Sequence, residues 1–246
     1  MQNDRYFDQR VAATYDDDVG CGNSEAVDPV VDFLAELADS GRALEFGVGT
    51  GRIALPLSMK GVEVHGIDLS QAMLAKLAEK PGGDRISVVQ GDFAITSCEC
   101  SFSLVYLIFN TIMNLTTQDE QVRCFQNAAS HLDPGGSFVI EVMVPTLQLI
   151  PFGETNRVFE FRDDHWGVDT YDIVSQRLTS HHFRIRDRQT EVSSIPFRYV
   201  WPSELDLMAK LANLELKARW GGWKKEAFTN ISRYHVSVWE KPCDGT

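Results

Sequence analysis

No stretch of this 246-residue chain approaches the ~18 consecutive apolar residues that read as a membrane span. The polar start Met1-Gln2-Asn3-Asp4-Arg5 has none of the apolar core of a secretory signal. Basic residues are also scarce. Lys and Arg number 23 against 35 Asp and Glu, a net charge of −12. A uniformly basic nucleic-acid-binding surface is thereby excluded, because docking on phosphate needs clustered Lys and Arg. The five cysteines, Cys21, Cys98, Cys100, Cys124 and Cys243, are odd in number and include no C-x-x-C pair. Free thiols in a reducing compartment follow. Cys98 and Cys100 stand too close together for a zinc knuckle, and no second pair accompanies them. Internal repeats and low-complexity linkers are missing as well. The expectation is a soluble cytoplasmic protein with no membrane or nucleic-acid partner.

What is present is ordinary globular composition, 43% hydrophobic and 24% charged. The length suits a single α/β domain with an added lobe. Residues 27–38 carry apolar side chains at helical spacing, with Val30, Val31, Leu34 and Leu37 on one face. Ala43–Phe46 reads as a short strand ending in a glycine-rich turn, with a helix over about 50–60 and a strand at Val62–Asp68. Ser70 is a candidate N-cap for a helix from Gln71 to Lys80, stopped by Pro81-Gly82-Gly83. Further strands are expected at Ile86–Gln90, Ser103–Phe109 and Ser137–Val144, with a helix from about 118 to 132 ahead of Asp133-Pro134-Gly135-Gly136. Apolar strands separated by helices argue for a parallel sheet covered on both faces, and right-handed crossovers make it doubly wound.

From about 155 to 201 the character changes. Val158–Phe161, Ile173–Arg186 and Gln189–Trp201 are β-rich with no helix between them, and Asp163-Asp164-His165 and Arg186-Asp187-Arg188 are polar breaks. That is the pattern of an antiparallel meander. Pro202 opens a last helix, and strands are expected at about 214–219 and 234–240. The expected organisation is therefore α/β: a Rossmann-like, doubly wound, seven-stranded sheet built from residues 1–150 and 202–246. An antiparallel insertion, 151–201, lies between strands 5 and 6 and roofs the carboxyl edge.

The strongest chemical signal is Leu44-Glu45-Phe46-Gly47-Val48-Gly49-Thr50-Gly51-Arg52. Glycines after a strand permit tight turning and close approach of backbone to a ligand, and the following helix start offers unpaired N–H groups. A second strand ends in an acid, Asp68, some 23 residues after Glu45. A carboxylate there can accept both hydroxyls of a ribose. The dinucleotide fingerprint G-x-G-x-x-G would put a third small residue where Arg52 stands. An acid at the end of the first strand repels a pyrophosphate but suits a cationic amino group. This chemistry points to S-adenosylmethionine.

On these residues, and on Gly66-Ile67-Asp68-Leu69-Ser70 with Met73-Leu74, Gly91-Asp92-Phe93 and Leu132-Asp133-Pro134-Gly135-Gly136, the chain resembles the class I S-adenosylmethionine-dependent methyltransferases. The resemblance implies that Glu45 and the 47–51 backbone, Gly47 and Gly49 above all, hold the methionine portion. Arg52 next to the turn counts with the cofactor-binding residues. Asp68 takes the ribose, Leu69 and Met73 pack on the adenine, and Asp92 receives the adenine amino group with Phe93 beside it. Ile108 and Phe109 lie under the sulfonium. The run from Tyr6 to Asp16 resembles the lid segment of small-molecule members, in which Tyr15 reaches the cofactor and Tyr6 faces the substrate. An amphipathic helix with two aromatic anchors reads equally well.

The stretch Phe109–Leu115 and the meander resemble antibiotic-tailoring N-methyltransferases of amino sugars or cyclic amines. Those of amino sugars carry a histidine where this chain has Asn114. An amide takes no proton at neutral pH, so Asn114 can orient an amine by accepting its N–H but cannot act as base. Tyr6, Phe109 and Asn114 are the candidate catalytic residues on this reading. An amine bound neutral needs little more than in-line placement in a water-poor cavity, whereas a hydroxyl acceptor needs a base or metal. No metal set is evident, and Asp163-Asp164-His165 reads as a hairpin turn. Glu141, His181 and His182 are candidate bases, each with a structural role as the competing reading. His181 and His182 alternate on a strand, so at most one faces the cavity. Tyr199, Trp201, Trp220 and Trp223 form either an aromatic wall or core packing, and Arg184, Arg186 and Arg188 either a solvated face or a phosphate clamp. An O-methyltransferase, an NAD-dependent oxidoreductase, a non-catalytic cofactor-binding module and a protein or RNA methyltransferase are the rival readings. Extended meanders serve subunit contacts, so a homo-oligomer is expected.

Overall fold

A computed structural model describes residues 6–18, 24–186 and 189–243. Its larger sheet has seven strands: β1 (Arg42–Phe46), β2 (Glu63–Asp68), β3 (Ser87–Gln90), β4 (Phe102–Leu107), β5 (Leu132–Met143), β10 (Glu215–Trp220) and β11 (Tyr234–Glu240). Their spatial order is β10-β11-β5-β4-β1-β2-β3. The five strands from β3 to β5 are parallel, while β11 runs antiparallel to both β5 and β10. Alternation along these strands serves two separate cores. Leu44, Phe46, Val105 and Leu107 face Phe125, Leu205 and Met208 of helices α5 (Gln118–His131) and α6 (Pro202–Leu211). Ala43, Leu104 and Tyr106 face Val30, Val31 and Leu34 of α2 (Ser24–Ala38) and Leu57 of α3 (Ala54–Met59). Both sheet faces are covered, as the apolar strands require.

Helix starts follow local chemistry. Ser70 caps α4 (Gln71–Glu79) by accepting the Met73 N–H. Thr117 and Glu120 form a reciprocal capping box on α5, satisfying two donors that a bare helix end leaves unpaired. The Asp133–Gly136 turn behaves differently from expectation. It lies within β5 as a bulge, since Phe102 pairs with Leu132 and Leu104 already with Ser137. Gly135, at φ 81°, supplies the left-handed residue that the bulge needs.

The smaller sheet holds four antiparallel strands in sequence order: β6 (Asn156–Phe161), β7 (His165–Asp172), β8 (Arg177–Arg186) and β9 (Gln189–Arg198). Here too the sequence pattern needs a correction. Ile173 and Val174 are not strand residues but the tip of a turn, 70% and 92% exposed. The Asp172 carboxylate accepts the Val174 and Ser175 N–H groups, and Gln176 closes the turn at φ 54°. A carboxylate that bonds its own following backbone outcompetes the ladder. Strand β7, which the apolar pattern did not reveal, precedes that turn.

The meander joins the larger unit through a buried polar hub. Arg198, 5% exposed, donates to Gln121 of α5, Gln176 and Glu204 of α6. Gln121 Nε2 in turn donates to the carbonyls of Arg198, Ile112 and Leu115.

Helix α1 (Gln9–Asp18) is fastened near the carboxyl ends of β1 and β2. Ser70 Oγ donates to the Phe7 carbonyl at 2.6 Å, and Thr50 Oγ1 to Asp16 Oδ1 at 2.5 Å. Lys80 Nζ pairs with Asp16 at 2.6 Å. None of the described helices is long and apolar enough to cross a membrane.

Candidate active site

Beyond Phe46 the chain turns sharply through Gly47, Gly49 and Gly51, at φ 73°, 53° and 79°. A side chain in this region is strained, and it also has nowhere to go. A Cβ on Gly47 would stand 2.8 Å from the Thr111 methyl, and one on Gly51 2.4 Å from Leu77 Cδ1. The turn's backbone is tied to β2: Asp68 Oδ2 accepts the Gly49 N–H at 2.7 Å, and Oδ1 the Ser70 N–H at 2.8 Å. These two bonds fix the Asp68 carboxylate beside the glycine turn.

Around this turn lies a cavity of about 160 Å³. Gly47, Gly49, Asp68, Leu69, Met73, Asp92, Phe93, Tyr15 and Asn114 line it, so nine of the residues singled out from sequence come together. Asp92 is held by the Ala94 N–H on Oδ1 at 2.9 Å. Phe7, Ser70, Thr111 and Leu115 also line the cavity. These four lie inside the stretches Tyr6–Asp16, Gly66–Ser70 and Phe109–Leu115 that carry the resemblance, but were not among the residues assigned to the site.

Five expected residues lie elsewhere. Glu45 is buried at β1 and accepts the Tyr106 hydroxyl at 3.0 Å. Burial pushes its carboxyl up to about 8, the Tyr106 bond opposes that rise, and the Asp68 charge adds to it. A carboxylate so desolvated gains most from a cation brought alongside. Ile108 is buried. Phe109 is half-buried at the end of β4, where it and Asn110 adopt left-handed φ of 54° and 62°. Two consecutive non-glycine residues in this region cost roughly 1–2 kcal/mol each. The corner is pinned accordingly: Glu141 Oε2 accepts the Phe109 N–H at 2.9 Å and Asn110 Oδ1 the Met143 N–H at 2.7 Å. Arg52 stacks its guanidinium 4.0 Å from the Phe109 ring centre, and its buried Nε has no hydrogen-bond partner.

Tyr6 lines a second cavity, about 460 Å³, between α1 and strands β8 and β9. Tyr15 and Phe7 line both cavities and form the wall between them. Asp8, Arg10, His182, Arg184 and Glu191 give the second chamber a charged, mixed-sign lining. Arg10 reaches Glu191 at 3.5 Å, linking α1 to β9. The sequence offered no signal for that pairing, because it joins residues remote along the chain.

The remaining candidates divide. His182 faces the second cavity; His181 does not line it and lies 2.8 Å from Ser194 Oγ. Glu141 serves the β4 corner; burial raises its pKa, opposed by the Phe109 N–H, Trp223 and Arg52. Tyr199 and Trp201 pack with one core, Trp220 and Trp223 with the other, and none of the four lines either cavity. Asp163 and Asp164 form a turn ahead of β7. Cys21, Arg188 and the side chain of Arg186 lie outside the described residues.

The fit to a nucleoside sulfonium rests on this structure's own features. Gly47 and Gly49, at positive φ, bring bare backbone to the cavity, and the Asp68 carboxylate at the next strand end lines it beside them. The chain belongs to the class I S-adenosylmethionine-dependent methyltransferases: it is an enzyme, and S-adenosylmethionine is its cofactor. The methyltransferase-domain family model matches residues 43–136. The solved structure of the CcbJ methyltransferase from Streptomyces caelestis is 38% identical, covers 87% of this chain and 89% of that one, and superposes with a TM-score of 0.78. A cypemycin N-terminal methyltransferase from a Streptomyces species is 26% identical over 208 residues, 82% of this chain and 84% of that protein. The S-adenosylmethionine-bound amino pentose methyltransferase CalS10 from Micromonospora echinaspora shares the fold at 21% identity, with a TM-score of 0.69 over 98% of this chain and 100% of that one.

Proposed function

We propose that the enzyme methylates an amine nitrogen of a small specialised metabolite, an amino sugar or a cyclic amine, held in the 460 Å³ chamber. The observation that carries this reading is the shared wall of Phe7 and Tyr15, which sets an acceptor-sized chamber directly beside the cofactor cavity. The likeness to a cypemycin N-terminal methyltransferase and to an amino pentose methyltransferase supports an amine-bearing acceptor. S-adenosylmethionine supplies an electrophilic methyl on a positively charged sulfur.

In this reading the chain's residues bind and orient. The Gly47 and Gly49 backbone and the buried Glu45 accommodate the aminoacyl end, with Arg52 alongside. Asp68 receives the ribose hydroxyls by charge-assisted hydrogen bonds. Leu69, Met73 and Phe93 would hold the base, Asp92 would accept from its amino group, and Ile108 would support the sulfonium end from the core. Tyr15 would close the cofactor side and Tyr6 border the acceptor, while Asn114, on the cofactor cavity, and Phe109, stacked under Arg52 at the β4 corner, would act from the cofactor side. Placing nucleophile and methyl in line, with water excluded by α1 and the meander, supplies most of the barrier reduction.

The test is methyl incorporation from labelled S-adenosylmethionine across matched panels of secondary amines and phenols. Transfer to amines is expected; transfer confined to phenols would assign oxygen instead. A homo-oligomer belongs to the same proposal. Phe161, 75% exposed, stacks on Trp166 near the meander's outer edge, and sedimentation velocity reads the assembly.

A further inference from the structure

Five consecutive residues of β9, Glu191 to Ile195, line the larger chamber. Successive side chains of a strand point to opposite faces, so an unbroken run places the chamber along the strand's edge. β9 ends its sheet, and among the described residues that edge pairs with no other strand. The register shows which backbone groups face it. On β8, Ile185 N–H donates to the Asp164 carbonyl on the β7 side, which leaves the even-numbered residues of β8 for β9. Tyr199 N–H donates to the Gln176 carbonyl, and β8 and β9 pair without a bulge. Bonded pairs recur at every second residue of an antiparallel ladder. Residues 191, 193, 195, 197 and 199 therefore turn N–H and C=O towards β8, while Thr190, Val192, Ser194, Pro196 and Arg198 turn theirs away. The Arg198 carbonyl agrees, since it accepts from Gln121 Nε2 of α5.

Both ends of this open edge are defined. Gln121 Nε2 bonds the Ile112 carbonyl as well as that of Arg198, which sets the carboxyl end of β9 beside Thr111–Asn114. Thr111 and Asn114 line the cofactor cavity. At the far end Arg10 of α1 reaches Glu191. In between, Val192 and Ser194 turn two N–H and two C=O groups to the chamber, and no backbone group of the described residues takes them. The facing wall, α1, bonds its own backbone internally and cannot pair with them. From Glu191 to Ile195 the edge runs about 13 Å at a strand's rise per residue. The inner side of β8 adds Arg184 and His182, whose Nδ1 stands 3.0 Å from His165 Nε2.

We propose that the larger chamber is a docking groove for a short extended peptide, which adds to the open edge of β9 and runs antiparallel to it, with its N-terminal amine towards Thr111–Asn114. This rests on the amine reading above and extends its acceptors to the N-terminus of a peptide. A peptide backbone carries N–H and C=O groups at the spacing an open edge offers, which is the basis of strand addition. Pro196 has no N–H, so the ladder stops there and the peptide's first residue is left unpaired. Its amine is then free to approach the wall formed by Phe7 and Tyr15. An α-amino group also suits a site where Asn114 takes no proton. Its pKa of ~7.7–8.0, against ~10.4 for an alkylamine such as that of lysine, leaves much of it neutral near pH 8. The nitrogen's electron pair forms the N–C bond, the S–C pair stays on sulfur, and the N-methylammonium gives its proton to water.

The peptide amide Ala-Thr-Val-Thr-Lys, with a free or an acetylated N-terminus, and piperidine serve as probes with the full-length enzyme. Calorimetry of the acetylated peptide against enzyme saturated with S-adenosylhomocysteine reads docking without turnover. Binding is expected; its absence overturns the proposal and leaves the amine reading standing. N-methylating every second amide of the peptide should weaken binding far more in one parity than in the other, because a single edge of the added strand meets β9. Equal losses in both parities overturn the proposal, and this comparison needs no variant to fold. Val192→Pro removes one outward N–H and spares the bonds to β8, a change of the kind that Pro196 already makes in the same strand. It should weaken peptide binding about 3- to 10-fold, the worth of one hydrogen bond, with S-adenosylhomocysteine affinity within about twofold. Unchanged peptide affinity in that variant overturns the proposal. Methyl transfer to piperidine but not to the free peptide overturns the proposal alone. No transfer to either by wild-type enzyme that binds S-adenosylhomocysteine overturns the amine reading and the proposal with it.

Discussion

The two cavities are built by opposite means. The cofactor cavity is shaped by backbone: left-handed glycines at the end of β1, an acid fixed by two N–H groups, and strands buried on both faces. The larger chamber, where the acceptor is proposed to sit, is shaped by side chains projecting from β8, β9 and α1, several of them charged and partly solvated. Backbone geometry tolerates few substitutions, whereas strand-face side chains can be exchanged without disturbing the ladder. One region is therefore suited to a fixed ligand, the other to a varying one.

The contrast can be broken most forcefully at the meander's root. Arg198→Ala removes one member of a buried pair with Glu204, 6% and 14% exposed in their side chains, and strands Gln121. Breaking such a pair costs about 3–5 kcal/mol. A fall of that size in urea-unfolding free energy is expected. A change below about 1 kcal/mol would mean that the meander is held by apolar contact after all.

At the other region, Asp68→Ala deletes the acceptor of two backbone N–H groups and the proposed ribose contact. One or two charge-assisted bonds at roughly 1.5–3 kcal/mol each should weaken cofactor binding by about tenfold or more, read by calorimetry. Unchanged affinity would remove Asp68 from the cofactor site.

Acidity separates the regions more finely. Burial, then Arg219, lowers the pKa of His235, next to β5 on β11, to about 3. The unfolded chain therefore takes up that proton first, at its ordinary value near 6.5. The stability present above pH 6.5 is lost as pH falls towards 3, at about 1.4 kcal/mol per unit. His182, at about 4 and only half-buried, contributes a smaller total loss in the same direction. Glu45 acts oppositely: its carboxyl is raised to about 8, so its contribution is full below 4.5 and lost as pH rises through 8. Thermal scans from pH 4 to 9 should show greatest stability near neutrality, and saturating cofactor should flatten the alkaline limb. The least effect belongs to Arg10→Ala. Its pair with Glu191 is exposed, and removing it should alter unfolding free energy by less than about 1 kcal/mol. A larger loss would show that α1 depends on this contact.

Legibility in the sequence follows the same division. The parallel part of the seven-stranded sheet was readable because β1, β4 and most of β5 are apolar runs set between helices with caps and glycines of one physical meaning, whereas β10, Glu215–Trp220, is half charged and was legible only from its place in the order. Gly47, Gly49 and Asp68 were readable because a turn at positive φ next to an acid admits few explanations. Strand β7 was not, since Trp166–Asp172 mixes polar and apolar residues on a half-exposed surface, and Ile173-Val174 imitated a strand while Asp172 was folding them into a turn. The pairing of His165 with His182 and of Arg10 with Glu191 depends on register and on docking of remote segments. No local pattern encodes either.

The common wall of Phe7 and Tyr15 has a kinetic corollary. A single short helix, latched by Asp16 at one side and Arg10 at the other, is a door to two rooms. On the proposed reading, spent nucleoside and finished product lie behind the same helix, so a substitution that loosens it should change the release of both together.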